Sequence, residues 1–297
     1  MNKKFIKRSG KDRLILGLGY FTLGLFVLAI IVPLIFVVIA SFMDPNVLNS
    51  RGISLNIADW SFDGYVRVIE NKMIGTGFLN SFIYSITFSI LSVGVTLFAA
   101  YPLSKRDLVG RKFFNTFLVI TMFFGGGLMP TYLLINELHM VNTIWAIIVP
   151  NAVNVWNIIL ARTYYQTVPE ELREASSVDG ATDVLHFFRI LMPVCKPIIA
   201  VLVLWQFVGM WNSYFDAMIY LEDSWLQPLQ LVLRSILIQN TPDPGMVADI
   251  QSAAEMSKLA ELLKYSTIVV SSLPLLVMYP FFQKYFESGV MVGSVKG

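Results

Sequence analysis

Six long apolar stretches constrain the fold of this chain more than any other feature of its sequence. They lie at residues 14–42, 77–101, 113–135, 144–165, 190–220 and 262–282. About 20 apolar residues are enough to cross the hydrocarbon core of a bilayer as a helix. Lipid offers an open backbone no hydrogen-bond partner, and the alternating pattern of barrel strands is absent. The sequence therefore predicts an all-α integral membrane protein with six transmembrane helices.

The composition is also typical of a membrane protein. The 297 residues are 56% hydrophobic and only 14% charged, whereas soluble domains carry about 25% charged residues. The basic N-terminus could instead begin a signal peptide, but the apolar region of such a peptide spans only ~7–15 residues. The first apolar stretch is longer, so we expect an uncleaved first span. A seventh stretch, 225–238, is short and contains Pro228 and Arg234, which favours an interfacial or re-entrant helix.

The distribution of lysine and arginine indicates the orientation in the membrane. Basic residues cluster in the N-terminal tail and in the link between the second and third spans, whereas the link after the fifth span is acidic. We therefore expect both termini in the cytoplasm. The predicted regions are a cytoplasmic tail (1–13), the first transmembrane helix with an extracytoplasmic loop (14–76), a core of five helices (77–285) and a cytoplasmic tail (286–297).

A polar, acidic island at 169–193 separates the fourth and fifth spans, and the predicted topology places it in the cytoplasm. Thr167 can cap a first helix and Glu170 can complete a capping box, with Pro169 in the first turn. Gly180 is placed to end this helix in a left-handed conformation. Thr182 can then cap a second helix that enters the membrane.

One face of the first island helix is suited to a partner. Leu172, Ala175, Ser176 and Asp179 share it at helical spacing, and the residues beyond Leu172 are small. An ordinary amphipathic linker between two spans is the alternative interpretation.

The same segment resembles the EAA signature of ABC-importer permeases, which is Glu-Ala-Ala, three residues, Gly, nine residues and Ile-x-Leu-Pro. Glu174, Ala175 and Gly180 fall at the family spacing, as do the isoleucine at 190 and the proline at 193. The chain departs from the signature at Ser176 and Met192, where the family has Ala and Leu. In that family the segment is the coupling helix, which docks on the ATP-binding subunit.

The resemblance covers most of the chain from residue 77 onward. The stretches FFGGGLMPTYLLI and MWNSYFDAMIYL and the terminal ESGVMVGSVKG resemble the carbohydrate-uptake group. More narrowly, they are similar to the permeases named for lipoprotein and complex-polysaccharide transport and to the smaller maltose permease. The last of these reaches into its ATPase dimer with a tail similar to GSVKG. The resemblance thus implies a type I ABC-importer permease fold.

The resemblance also implies the partners and the contact with the motor. The chain would form half of a pore with a second homologous permease in a bacterial cytoplasmic membrane, as a multi-pass subunit. Two ATP-binding cassette subunits and an extracytoplasmic solute-binding protein would complete the importer. No Walker A pattern occurs in the sequence, so ATP and Mg²⁺ would be used by the partner ATPase, and this chain would carry no cofactor, metal or catalytic residue. The ATPase-coupling residues would be Leu172, Glu174, Ala175, Ser176, Asp179 and Gly180.

Polar residues in the fourth and fifth predicted spans are candidates for the substrate path. Intramembrane amides usually face a bundle interior, a partner or a wet cavity. Mixed amide and aromatic chemistry suits an uncharged oligosaccharide, although amides also bridge helices and aromatic residues gather at membrane interfaces. The candidates are Asn151, Asn154, Asn157, Gln206, Trp211, Asn212 and Tyr214.

Two other classes of protein remain as alternatives. A secondary transporter driven by an ion gradient typically has intramembrane carboxylates or broken helices at midplane, and the spans have almost no central acidic residue. A membrane-embedded enzyme would need a paired acid, base or metal set. His139 and His186 fall in separate predicted loops and are expected at the surface, and Cys195 is expected in the core.

Overall fold

The computed structural model describes residues 10–54, 56–239 and 250–294. The basic residues of the first nine positions, the acidic residues of 240–249 and the last three residues of the tail lie outside this part. The described residues fall into two compact units. The first lies within Met1–Val68 and Gln239–Val270, and the second within Ile69–Ile238 and Ser271–Gly297.

The described residues form α-helices with no β-strand among them, as predicted. In chain order the α-helices are α1 (Gly10–Ala40), α2 (Pro45–Arg51), α3 (Asp63–Glu70), α4 (Lys72–Ser104), α5 (Arg111–Phe123), α6 (Leu128–Glu137), α7 (Trp145–Ile148), α8 (Val155–Tyr165), α9 (Glu171–Val178), α10 (Asp183–His186), α11 (Met192–Val194), α12 (Lys196–Trp211), α13 (Phe215–Tyr220), α14 (Leu229–Gln239) and α15 (Ile250–Ser294). Two 3₁₀ turns (Ile57–Asp59, Ser224–Leu226) and one π-helical segment (Phe187–Leu191) connect them.

Among the described residues three helices are long and apolar enough to cross a membrane. They are Gly10–Ala40, Lys72–Ser104 and the segment Leu263–Tyr285 of α15. Two further candidates are bent pairs, α5 with α6 at 110° and Asp183–Val194 with α12 at 80°. The structure thus holds three to five candidate spans.

The predicted fourth span is not one continuous helix. The segment 144–165 contains the single turn α7 and the longer α8, with residues 149–154 outside both. Pro150 lies in this break, where its missing N–H cannot support a helical turn. The predicted short seventh segment is confirmed as a helix, because α14 begins just after Pro228.

The first unit contains a long exposed helix and an aromatic cluster. Among the residues of α1 only Ala40 is buried. Just beyond this helix, Phe42 stacks on Trp60 at 5.7 Å and lies 5.0 Å from the Tyr65 ring. The Tyr65 hydroxyl and the Ser41 hydroxyl share a hydrogen bond of 2.6 Å, which fixes the cluster to the end of α1.

The second unit is organised around α4, which packs against α12 and α8. A stripe of small hydroxyl residues on α4 is buried, and its members are Ser81, Ser85, Ser89, Ser92 and Thr96. Small side chains let neighbouring helices approach closely. Gln206 of α12 is buried and donates to the Ser92 hydroxyl.

The N-terminal half of α4 holds the segment that leads into α14. The Asn80 amide donates to the carbonyls of Trp225 and Gln227 at 2.7 and 3.1 Å, and the Tyr84 hydroxyl donates to the Leu226 carbonyl at 2.9 Å. The Ser81 hydroxyl accepts from the Leu229 N–H at 2.8 Å. These bonds give partners to carbonyls of the 3₁₀ turn and of Gln227, and to the N–H at the start of α14.

Gly77 is required where α4 meets α14. A Cβ atom at this position would lie 3.1 Å from Cγ2 of Val232 and 3.2 Å from the Leu229 backbone. We predict that Gly77→Val will lower the free energy of unfolding by about 1–3 kcal/mol, because overpacking forces the two helices apart.

Thermal denaturation in detergent measures this effect. Gly75→Val is the matched control, because nothing lies within 4 Å of a Cβ atom there and both glycines are in α4. Equal melting temperatures for the two variants would contradict the close contact.

Candidate functional site

The acidic island of the sequence forms the helix pair α9 and α10, but α9 begins differently from the prediction. Its N-terminal flank is Glu170, which is itself helical and makes no side-chain cap. The Thr167 hydroxyl donates to the Tyr164 carbonyl at 2.7 Å at the end of α8. The predicted capping box is therefore wrong, because Thr167 closes the preceding helix instead of opening α9.

The turn between the helices agrees with the prediction. Gly180 has a φ of +80°, a left-handed conformation that side chains with Cβ resist. Its N–H donates to Ser177, and the next N–H, of Ala181, donates to the Ser176 carbonyl at 2.9 Å. Thr182 then caps α10 by accepting from the Leu185 N–H at 3.3 Å. Both predicted roles, of Gly180 and of Thr182, are confirmed.

The predicted face of α9 is divided in two. Leu172, Ala175 and Asp179 are exposed, whereas Ser176 is buried. The Ser176 hydroxyl shares a 2.9 Å hydrogen bond with Nδ1 of His186. His186 is only 5% exposed, so the prediction of a surface histidine is wrong at this position. The pair joins α9 to α10.

A network of charges joins α9 and α10 to the end of α4. Asp183 pairs with Lys105, which also lies 4.5 Å over the Tyr101 ring. Asp183 is also 3.6 Å from Nε of Arg173. Arg173 in turn pairs with Glu170 at 3.0 Å and lies 3.8 Å from Asp107 in the link after α4. The hydrogen bond that Arg173 donates to the Glu170 carboxylate raises the pKa of Arg173, so this guanidinium stays charged.

Sequence reasoning missed this network. The basic link after the second span was used only to orient the chain, although its Lys105 and Asp107 face the island. The pair of Arg173 with Glu170 is local (i,i+3), but the pairs that attach the island, Lys105 with Asp183 and Asp107 with Arg173, join residues far apart in the sequence. Only the fold brings those residues together.

Aromatic packing anchors the entrance to the next segment. Phe187 is buried, stacks on Phe98 of α4 at 5.3 Å and lies 4.9 Å from the Tyr101 ring. Phe188 meets Phe98 edge-on at 5.8 Å. Phe98 and Tyr101 of α4 and Lys105 just after its end thus contact α10 or the π-helical segment that follows it, so these elements form one packed joint.

The predicted substrate-path residues also fall into two groups. Trp211 is completely buried and donates through Nε1 to the Ser271 carbonyl at 3.0 Å. Asn157 and Gln206 are buried as well. The four exposed members are Asn151, Asn154, Asn212 and Tyr214.

The three asparagines do not form the predicted stripe on one helix. Asn157 lies in α8, but Asn154 is the residue that caps it, accepting from the Asn157 N–H at 3.0 Å. Asn151 lies in the break and donates to Oδ2 of Asp216 at 2.7 Å. Asn151 therefore contacts the segment that carries Asn212 and Tyr214, through a residue that sequence reasoning left out of the site.

The comparisons with known proteins identify the family. No protein-family model matches the chain. The polygalacturonan/rhamnogalacturonan transport system permease protein YtcP of Bacillus subtilis is 35% identical over 287 residues, covering 97% of this chain and 100% of that protein. The protein LplC of the same organism is 35% identical over 271 residues, 90% of each chain. The chain therefore belongs to the permease subunits of ABC transport systems, and it is a transport subunit and not an enzyme.

A solved structure confirms the fold. The crystal structure of a bacterial ABC transporter involved in the import of the acidic polysaccharide alginate contains a chain that is 28% identical, with a TM-score of 0.84. The match covers 95% of this chain and 99% of that chain. The predicted family is thus confirmed, and the apolar helices agree with a membrane protein.

We predict that Asp183→Asn will loosen α9 and α10 from the end of α4, because it removes the carboxylate that Lys105 and Arg173 share. Exposed ion pairs contribute only ~0.2–1 kcal/mol each, so we expect amide hydrogen exchange across 171–186 to accelerate about twofold to fivefold. Asp179→Asn is the control, since Asp179 is exposed in the adjoining turn and outside the network. Unchanged exchange in Asp183→Asn would mean that the aromatic packing alone holds the joint.

Proposed function

We propose that this chain forms half of the pore of a binding-protein-dependent ABC importer and takes up an oligosaccharide at the expense of ATP. The helix pair α9 and α10 is the observation that carries the proposal. It combines the family spacing of Glu174 and Gly180 with a left-handed glycine, a buried link between the helices and ion pairs to α4. A surface linker would need none of these attachments.

The exposed side of α9 is the proposed contact with an ATP-binding subunit. Leu172, Glu174, Ala175 and Asp179 are all exposed and would meet the partner directly. Ser176 and Gly180 would instead shape the contact indirectly. Ser176 is bonded to His186, and Gly180 sets the turn between α9 and α10. Motion of the ATPase would thus reach α4 through the charge network.

The remaining subunits follow from the same proposal. A second, homologous permease would supply the other half of the pore, two ATP-binding subunits would bind ATP and Mg²⁺, and a solute-binding protein would deliver the sugar from outside. We place the chain in the cytoplasmic membrane with both termini inside. It would cross six times, with 144–165 crossing as a broken helix.

The exposed polar residues in the break before α8 and between α12 and α13 are the proposed substrate contacts. Asn151, Asn154, Asn212 and Tyr214 combine amides with an aromatic ring, which suits a carbohydrate. The buried Trp211, Gln206 and Asn157 would support this surface without touching the sugar. Transport of polygalacturonan/rhamnogalacturonan by one relative and of alginate by the structural neighbour supports a carbohydrate substrate.

A nearby cation favours a sugar that carries carboxylates. Arg234 of α14 lies 4.9 Å over the Tyr214 ring and contacts Sδ of Met218 at 2.7 Å. Within the described part of the chain it forms no ion pair with a carboxylate. A guanidinium pairs well with a carboxylate in bidentate geometry, so an acidic oligosaccharide would supply the missing partner.

Replacement of Glu174 tests the coupling contact. We predict that Glu174→Ala, in the complex with its partner permease and ATP-binding subunits, will lower sugar uptake and the uptake-coupled ATPase rate at least tenfold. The variant would lose a docking contact but not the membrane fold, and parallel assays in proteoliposomes measure both rates.

Glu171→Ala is the matched control, because Glu171 is an exposed glutamate in the first turn of the same helix outside the proposed contact. Equal, wild-type rates for both variants would remove the coupling role. Uptake by this chain without any ATPase subunit would instead favour a secondary transporter.

Replacement of Arg234 tests the charge of the substrate. We predict that Arg234→Gln will lower the uptake of an oligouronate about tenfold relative to a neutral oligosaccharide of equal length, whereas Arg234→Lys will retain most of the preference. Competition between the two labelled sugars measures the ratio. An unchanged ratio in Arg234→Gln would contradict a role for this cation in substrate selection.

A further inference from the structure

A cavity of about 710 Å³ lies between the end of α4 and the helix pair α9 and α10. Sites for small molecules typically occupy about 300–1,000 Å³. Arg173 is the residue of α9 that lines the cavity, whereas Leu172, Ala175 and Asp179 do not line it. The cavity is therefore separate from the surface proposed to meet the ATPase.

The walls of the cavity carry an excess of positive charge. Its cationic residues are Lys105, Arg106, Arg111 and Arg173, and its acidic residues are Asp107 and Glu170. Lys105 and Arg173 are already engaged in the charge network. Within the described residues neither Arg106 nor Arg111 forms an ion pair with a carboxylate. Arg111 donates through Nε to the Leu103 carbonyl at 3.2 Å, which leaves its two terminal nitrogens and the Arg106 guanidinium available to a ligand.

One residue of the same wall carries a buried hydroxyl without a partner. Tyr165 lines the cavity and is only 5% exposed. Its hydroxyl makes no hydrogen bond in the structure, and burying such a group unpaired is unfavourable. An acceptor oxygen on a ligand in the cavity would satisfy it.

We propose that this cavity binds a phosphate-bearing ligand. Arg106 and Arg111 pair with its negative charge, and the Tyr165 hydroxyl donates to a phosphate oxygen. Arginine suits this task because its planar fork matches phosphate geometry, whereas a neutral ligand would leave the charge excess uncompensated.

The phosphate has two sources with the same chemistry. It belongs either to a free cytoplasmic phosphate compound or to the headgroup of an anionic phospholipid, because α4 is a candidate span and its end forms part of the wall. In either case the ligand ties the link after α4 to α9 from the side away from the ATPase contact.

Inorganic phosphate is the probe for the free source. It is titrated by calorimetry into the complex with the partner permease and ATP-binding subunits, whose nucleotide sites are first saturated with a non-hydrolysable ATP analogue. We expect saturable binding that Arg111→Gln weakens at least tenfold. Tyr165→Phe, which removes only the unpartnered hydroxyl, should weaken it about fivefold in a folded protein. Lys112→Gln is the control, because Lys112 is an exposed neighbour outside the cavity.

Bilayer nanodiscs of phosphatidylcholine with and without phosphatidylglycerol test the lipid source. Native mass spectrometry measures the phosphatidylglycerol that stays bound after extraction. Retention by the wild type and by Lys112→Gln, with loss in Arg111→Gln and Tyr165→Phe, assigns the site to a headgroup. Phosphate binding and lipid retention that are both unaffected by Arg111→Gln and Tyr165→Phe, or absent in the wild type, would overturn the proposal.

Discussion

The packing of α4 against α12 and α8 is the interaction on which the second unit depends. Each part of α4 holds a different neighbour. Gly77 near its start lets α14 approach, Ser92 in its middle bonds Gln206, and at its end Tyr101 and the following Lys105 hold Asp183 of α10. Because one helix carries all three attachments, displacement of its end by α9 and α10 acts on an element that also bonds Gln206, one of the buried residues proposed to support the substrate contacts.

Hydropathy predicted the helical membrane class well because it depends only on how many apolar residues follow one another. Hydropathy could not predict whether the helix within an apolar stretch is straight, bent or broken. Gly127 has a φ of +81° at the bend between α5 and α6, and Pro150 lies in the break before α8. These residues change the geometry while their apolar neighbours keep the average hydropathy high, so bent and broken segments appear as ordinary spans.

The local geometry of the helix pair α9 and α10 was predictable where it depended on neighbouring residues. Gly180 and Thr182 fulfil their predicted roles because a left-handed turn and a hydroxyl cap are decided within a few positions. His186 and Thr167 depart from the prediction because each bonds to a different helix from the one expected. His186 shares a hydrogen bond with Ser176 of α9, and Thr167 donates to the Tyr164 carbonyl at the end of α8. In the charge network only the pair of Arg173 with Glu170 is local, whereas the pairs with Lys105 and Asp107 depend on how the end of α4 meets α9 and α10.

The buried hydroxyl stripe of α4 bears on how this unit could move. Ser89 donates to the Ser85 carbonyl of its own helix at 2.6 Å, and a hydroxyl satisfied in this way does not fix the register of a neighbour. Among the described residues, the bond from Gln206 to Ser92 is the single side-chain hydrogen bond between α4 and α12. The polar contact between these side chains is therefore a single bond, and it lies beside two aromatic pairs, Phe78 with Trp211 at 5.3 Å and Phe82 with Phe207 at 6.1 Å. Shear of α12 along α4 would require that bond to open and these rings to exchange partners, while the small residues of the stripe would present no further side-chain hydrogen bond to break.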